Sequence, residues 1–333
     1  MRMHLFAISI ILLSTFNINI SYSYPVNISD VNYSQFFNSI NVTAVEDHVR
    51  FFATIDSRVT GYNGCNVAAE YISGYLEKLG LNVTEQEYNT VVPVDYGATL
   101  HLLNQNESFK IYPLEPNLIS PVTTTGIIGP VLYVGKGSLD ELNGKPIDGS
   151  ILLMDFDSDR NWITAAMLGA KAVIFIEPEE TTPWTCMRKS INIPFKFLRF
   201  YIKKTEARRL LSIMNSSNGT LYAHVTSKMV WESRKAKNII GIIKGEDPAY
   251  KDEIILLSAH YDSYSIVPSL APGANDAVGV ATLLEIARLL TIHKPKYSVM
   301  FVAFSGYHQL LEGARNFLIK YFLEKLSLIH ISE

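Results

Sequence analysis

The side chains best suited to chemistry lie between residues 254 and 315. His260 and Asp262 stand in Ala259-His260-Tyr261-Asp262-Ser263, just past a wholly apolar run at 254–257. Asp276 closes Pro272-Gly273-Ala274-Asn275-Asp276, and Tyr307 and His308 follow a second apolar run at 299–304. Imidazole and carboxylate together are the usual donors to zinc or a similar divalent ion, and a carboxylate near a ligand histidine can orient its ring. These types therefore point to a metal centre. His260, Asp276 and His308 are its candidate ligands, and Asp262 is the residue that orients His260.

Those side chains need elements to hold them. The two apolar runs read as strands, the first buried on both faces. Between them Val280, Leu283, Leu284, Ala287 and Leu290 recur at helical spacing, with Asn275 or Asp276 as cap, so the helix is expected to open at Asp276. A second helical pattern runs through Leu311 and Phe317. The resulting β-α-β-α order implies parallel strands with a right-handed crossover, and in open α/β sheets ligands bind outside the carboxyl ends of the strands. His260, Asp276, Tyr307 and His308 are expected to converge there.

Three linked motifs carry a resemblance: Ser258-Ala259-His260-Tyr261-Asp262-Ser263, then Gly273 through Ala281, then Phe301-Val302-Ala303-Phe304-Ser305-Gly306, with Gly313-Ala314-Arg315 beyond. In that order they resemble the co-catalytic di-zinc aminopeptidases, whose relatives include glutamate carboxypeptidase, glutaminyl cyclase and the non-catalytic transferrin receptor and nicastrin. The resemblance implies a zinc-exopeptidase-like α/β fold, a mixed, largely parallel sheet sandwiched by helices. It also implies two Zn2+ ions per site and hydrolysis of the amino-terminal bond of a peptide or protein substrate. His260 would bind one metal, Asp276 would bridge both, and Asp262 would support His260.

The sequence departs from that family at one pair of positions. After Phe-Ser-Gly the family carries Glu-Glu, the general base followed by a metal ligand; here Tyr307 and His308 stand instead. Imidazole still ligates zinc, but a phenol with pKa ~10 is protonated at neutral pH and is a poor base. Glu312, one helical turn on, reads as a solvated helix carboxylate, so the general base is unidentified. Beyond it, 315–325 reads as a helix and 326–331 as the start of a strand; the family's next carboxylate ligand would fall near Glu333, and no residue answers to its final histidine. Two functions are therefore carried forward. One is a zinc-dependent metallo-aminopeptidase; the other is a non-catalytic peptidase-like binding protein, or a fragment of an active peptidase.

The rest of the chain supplies context. Residues 1–23, with an early arginine, an apolar centre and small Ser21 and Ser23, read as a secretory signal peptide. Left uncleaved, it would anchor the chain at the cell surface; no later run reaches the ~18 apolar residues of a membrane span. Asn27, Asn32, Asn41, Asn82, Asn106, Asn215 and Asn218 each open an Asn-X-Ser/Thr sequon, as expected of an exported glycoprotein. Cys65 and Cys186 are spaced too far apart for a zinc knuckle and either pair in an oxidising compartment or remain two thiols. A net charge of -3 gives no electrostatic reason to expect nucleic acid, and 333 residues suffice for two domains.

Within the body, 45–52 reads as a helix, 57–61 as a loop, and Val67 to Leu79 as an amphipathic helix stopped by Gly80, with a strand beginning at Leu81. Strands are expected at 126–134, 150–155 and 171–176, and a helix at 162–168 ended by Gly169. Residues 104–237, carrying these and no His/Asp/Glu constellation, resemble the protease-associated domain. That resemblance implies a lid or recognition module. The zinc-peptidase-like domain would then comprise 24–103 and 238–333, with 238–243 forming a hairpin with the strand at Ile254. Trp162, Trp184 and Trp231 are expected to pack, and His101 and His293 to serve at the surface or in packing.

Overall fold

The computed structural model describes residues 33–103 and 105–323. The signal segment, Asn27, Asn32, the strand expected at 326–331 and Glu333 lie outside them. In chain order the elements are α1 (Tyr33–Asn38), α2 (Val42–Ala53), α3 (Asn63–Lys78), β1 (Asn82–Leu102), β2 (Glu107–Pro113), β3 (Thr124–Tyr133), α4 (Leu139–Leu142) and β4 (Ile151–Asp155). There follow α5 (Asn161–Met167), β5 (Ala172–Ile176), α6 (Pro183–Met187), β6 (Leu198–Ile202), α7 (Lys204–Ser216), β7 (Tyr222–Ile243) and β8 (Ile254–His260). The chain then forms α8 (Ala274–Ile292), β9 (Ser298–Phe304), α9 (Glu312–Leu318) and a π-helical turn, Ile319–Leu323.

All nine strands form one mixed sheet in the order β1-β2-β6-β5-β4-β3-β7-β9-β8, closed on itself by a further β1–β7 pairing. That pairing is an antiparallel ribbon running from Asn82 opposite Ile242 to Leu102 opposite Ala223, with a bulge between Asp95 and Ala98. At one end of the ribbon, neighbouring residues of each strand face opposite layers. Ile239 and Phe301 pack with α3 and α8, whereas Ile240 and Val302 pack with Phe317 of α9. Helices therefore cover both faces, as expected. At the other end the parallel strands β3, β4, β5 and β6 do the same. Ile151 and Leu153 face a core with Leu210 of α7, while Leu152 and Met154 face one with Leu142 of α4 and Trp162 of α5.

The expected strands and helix within 126–176 are all present, and Gly80 and Gly169 end their helices at φ +81° and +90°. Three expectations are corrected. First, β7 does not form a hairpin with β8: β9 lies between them, antiparallel to β7 with Ile239 opposite Ala303, and parallel to β8 with Ile254 opposite Ser298. The parallel crossover through α8 requires this, since it must return the chain beside β8, and the nearly fully buried β9 takes the inner place. Second, β8 is half-buried instead of buried on both faces, because among the described residues it is the edge strand. Third, α8 opens at Ala274, capped by Gly273 at φ +56°, so that Asp276 lies in the first turn and is not the cap.

Both cysteines are free, Cys65 in the core and Cys186 half-buried. Among the described residues no helix is long and apolar enough to cross a membrane. Trp162 packs fully buried, whereas Trp184 and Trp231 are exposed, against the expectation that all three pack. Arg188 lies over the Trp184 ring, and the Trp231 indole donates to Ile119 O at 3.1 Å.

A buried histidine makes stability depend on pH. His48 of α2 places Nδ1 2.7 Å from the Tyr71 hydroxyl and its ring edge-on to Tyr75 at 4.6 Å, while Nε2 has no partner. Burial lowers its pKa, outweighing the opposite pull of Glu285 and Asp47. The unfolded chain, with histidine near ~6.5, therefore takes up this proton first as pH falls. The contribution of His48 is present above that value and is lost as pH drops through the depressed folded value. In thermal melts between pH 7.5 and pH 5, the parent chain should lose melting temperature more steeply than His48→Gln.

Candidate metal centre

Asp262 is the centre of the site. It lies just past β8 with no solvent exposure, and a buried carboxylate needs donors. Thr60, from the loop before α3, donates its hydroxyl to Asp262 Oδ2 at 3.0 Å. The main-chain N of Tyr307 donates to the same oxygen at 3.0 Å, and Gly306 N donates to Thr60 Oγ1 at 2.8 Å. Gly306 makes this turn with φ +70°; a Cβ there would lie 2.6 Å from the Tyr88 hydroxyl oxygen and 3.0 Å from Gly313 N. Three segments distant in sequence thus meet on one carboxylate.

That carboxylate sets the orientation of His260, the last residue of β8. His260 Nδ1 lies 3.3 Å from the main-chain oxygen of Asp262 and 3.3 Å from its Oδ1. With the proton on Nδ1, Nε2 carries the lone pair a metal requires. Burial pulls the His260 pKa down, but Asp262 and the field of Asp276 more than offset it, and the net shift is upward. The Tyr307 ring stacks on the His260 ring at 4.2 Å and 13°, and His308 meets His260 edge-on at 5.7 Å. His308 Nε2 is buried without a hydrogen-bond partner, and burial lowers its pKa despite the fields of Asp262 and Asp276.

Asp276 stands at the same end of the sheet, in the first turn of α8, with Oδ2 3.4 Å from Tyr264 N. Beneath it lies Arg58, wholly buried. Its Nη2 donates to Gly273 O at 2.8 Å, its guanidinium sits 5.1 Å from the centre of the Phe52 ring, and Nε and Nη1 are unpartnered. Burial depresses its pKa, with Asp276 the foremost charge opposing the shift. Sequence reasoning placed Arg58 and Thr60 only in a loop; nothing in their spacing tied them to residues more than 200 positions away.

The structure therefore brings His260, Asp262, Tyr307 and His308 into contact and sets Asp276 within electrostatic reach. Among the described residues no three His, Cys, Asp or Glu side chains converge tightly enough to form a metal-binding group. The chemistry of the donors nevertheless fits a zinc ion: one imidazole fixed by a carboxylate, a second with a buried unpartnered nitrogen, and a nearby carboxylate. Glu312 does not remain the solvated helix carboxylate expected, because it accepts a hydrogen bond from Thr90 of β1. His293 contacts Ser39 at 2.9 Å and His101 contacts Ser108 at 3.0 Å, both away from the site.

The fold is that of zinc-exopeptidase-like proteins. The model of Peptidase family M28 matches residues 238–329, the segment that carries the motifs. Over 274 residues the chain is 27% identical to Aminopeptidase YwaD of Bacillus subtilis, covering 79% of this chain and 54% of that protein. Over 84 residues it is 45% identical to a probable zinc metalloprotease of Pyrenophora tritici-repentis, covering 23% and 19% respectively. Among solved structures, a zinc aminopeptidase from Bacillus subtilis shares the fold at TM-score 0.52 and 24% identity, over 80% of this chain and 61% of that one. A peptidase M28 precursor from Shewanella amazonensis does so at TM-score 0.53 and 17% identity, over 88% and 70%. The chain spans about half or less of the length of these curated relatives.

Thr60 offers a direct test of the Asp262 cluster. Valine at this position keeps the shape but removes both the donor to Asp262 and the acceptor for Gly306, leaving buried polar groups unpaired. Thr60→Val should cost about 1–3 kcal/mol in denaturant unfolding. Thr60→Ser should retain most of the stability.

Proposed function

We propose that this chain is an exported, zinc-dependent metallopeptidase-type protein of the aminopeptidase kind, with peptides or proteins bearing a free amino terminus as its ligands. The observation that carries this reading is the Asp262-oriented imidazole of His260, set with His308 and Asp276 at the carboxyl ends of β8 and β9. His260, Asp276 and His308 would hold the metal. When bound, zinc supplies Lewis-acid polarisation of the scissile carbonyl and activation of a nucleophile.

The chain's own residues handle the remaining work unequally. Asp262 keeps the proton of His260 on Nδ1 and so leaves Nε2 to face the metal. Tyr307, a phenol stacked on His260 at the position of the family's base, lacks the carboxylate that serves as the base there. Glu312 is engaged by Thr90. A positioned general base is typically worth ~10²- to 10⁴-fold in rate. The stacked Tyr307 accordingly favours a second reading, a peptidase-like binding protein that keeps the metal site and has lost turnover.

Both readings are tested on the purified chain. Near-stoichiometric zinc, lost in His260→Ala, is expected, together with little or no turnover of amino-terminal peptide substrates. Tyr307→Glu by itself should not restore cleavage, because three candidate ligands leave a two-metal site under-coordinated. Robust zinc-dependent cleavage by the parent, abolished by His260→Ala, would overturn the loss of turnover; absence of zinc under zinc-replete conditions would overturn the metal site.

Export and the protease-associated character of 104–237 belong to the same proposal. The asparagines of all five sequons among the described residues, Asn41, Asn82, Asn106, Asn215 and Asn218, are exposed. Expressed through a secretory pathway, the chain should shift to lower mass on removal of N-linked glycans. A chain that leaves the cell with no such shift would remove glycosylation from this reading.

A further inference from the structure

The loop from Tyr261 to Gly273, which joins His260 and Asp262 to the helix of Asp276, is gripped by the insert. Ile266 and Val267 of this loop are 4% and 3% exposed and lie in the insert's core with Leu152, Trp162 and Phe175. Glu115, just beyond β2, reaches the loop by two routes. Its main-chain N donates to Ile266 O at 2.8 Å, and its carboxylate accepts the hydroxyl of Tyr264. Glu115 is itself held from behind: its carbonyl accepts from Nη2 of Arg199 at 2.5 Å. Arg199 is fully buried, and its Nη1 donates to Lys189 O.

Tyr264 turns its other side to the candidate metal centre. Its ring lies 5.3 Å from that of His308, tilted by 30°. Its main-chain N is 3.4 Å from Asp276 Oδ2. One residue therefore touches two of the three candidate ligands. Its hydroxyl is held by Glu115, which follows β2 and is 149 positions away in sequence.

We propose that Glu115 of the insert is a positioning residue for the metal centre: by holding the Tyr264 hydroxyl it fixes the ring that backs His308 and the amide that faces Asp276. This deepens the metal-centre reading and rests on it. A hydroxyl bound to a carboxylate is a charge-assisted contact, stronger than a neutral one. Held at its far end by Glu115, the Tyr264 ring is restrained beside His308, although the residue is 45% exposed. Ligands already ordered lose less entropy on binding, which is how a supporting shell raises affinity.

The test uses the full chain and the variants Glu115→Ala, Glu115→Gln, Tyr264→Phe and the Glu115→Ala/Tyr264→Phe pair. Zinc affinity is read by competition with a chromophoric chelator. Glu115→Ala and Tyr264→Phe should each weaken zinc binding about tenfold, the order of one net hydrogen bond, and the pair should weaken it no more than either alone. Glu115→Gln should recover most of the affinity, since its amide oxygen accepts the same hydroxyl. A role in packing alone would lower stability and leave zinc affinity and this non-additivity unmoved. Zinc affinity of Glu115→Ala within twofold of the parent, or additive losses in the pair, would overturn the proposal.

A readout without metal separates this inference from the reading beneath it. In the zinc-free chain the ring protons of His308 lie against the Tyr264 ring, and their NMR shifts should move in Glu115→Ala and return in Glu115→Gln. If the parent binds no zinc, the metal-centre reading fails while the Glu115–Tyr264–His308 coupling is still decided by these shifts. Unchanged shifts in Glu115→Ala would overturn the coupling.

Discussion

A carboxylate with no access to water is the constraint on which the rest of this structure depends. Asp262 sits at full burial, where an unpaired charge costs several kcal/mol or neutralises itself. Thr60 from the loop before α3 and the amide of Tyr307 after β9 donate to Oδ2, and the imidazole of His260 at the end of β8 lies 3.3 Å from Oδ1, which has no hydrogen bond. Satisfying one charge thus fixes the relative positions of three segments. The orientation of His260 is a by-product of the same arrangement.

The long β1–β7 ribbon carries that arrangement into the sheet. Along the first part of β1, 82–94, the buried positions are Gln86, Tyr88, Thr90, Val92 and Val94, and the first three are polar. Each has a specific partner near the site. Gln86 donates to Asn316 O at 3.0 Å, the Tyr88 hydroxyl lies 2.8 Å from Ser305 Oγ, and Thr90 donates to Glu312. Asn238 of β7 adds bonds to Gln86 at 3.0 Å and to Gly313 O at 2.9 Å. The ribbon therefore holds the Ser305-Gly306-Tyr307 turn and the start of α9 by hydrogen bonds where a plain core would use apolar contact. Buried networks of this kind specify geometry most strongly when every member is paired, and here Asn238 Oδ1 lacks a hydrogen-bond partner.

The same ribbon makes residues 104–237 continuous with the part of the sheet that carries the site. Residues 98–102 of β1 and 223–229 of β7 contribute to the insert's core, while 239–243 of β7 belong to the other core. Ile266 and Val267 cross in the opposite direction, from the site's own loop into the insert. Any rotation of one part of the sheet against the other would break ladder hydrogen bonds and expose apolar side chains.

What the sequence determined was local. Apolar runs and helical spacing gave the β-α-β-α order, the glycine stops at Gly80 and Gly169, and the strands of the insert, because burial of a face imposes a period on neighbouring residues. The order also placed His260, Asp276, Tyr307 and His308 at one end of the sheet, since parallel strands share a carboxyl edge. The tertiary structure alone decided what those residues touch. The Thr60–Asp262 contact spans 202 positions, Thr90–Glu312 spans 222 and Glu115–Tyr264 spans 149. The inward face of β1 was illegible because polar side chains there find hydrogen-bond partners supplied by other elements, and no period in the chain records a partner. The place of β9 between β7 and β8 is likewise a property of the crossover, and a strand's neighbours follow from topology where its existence follows from its residues.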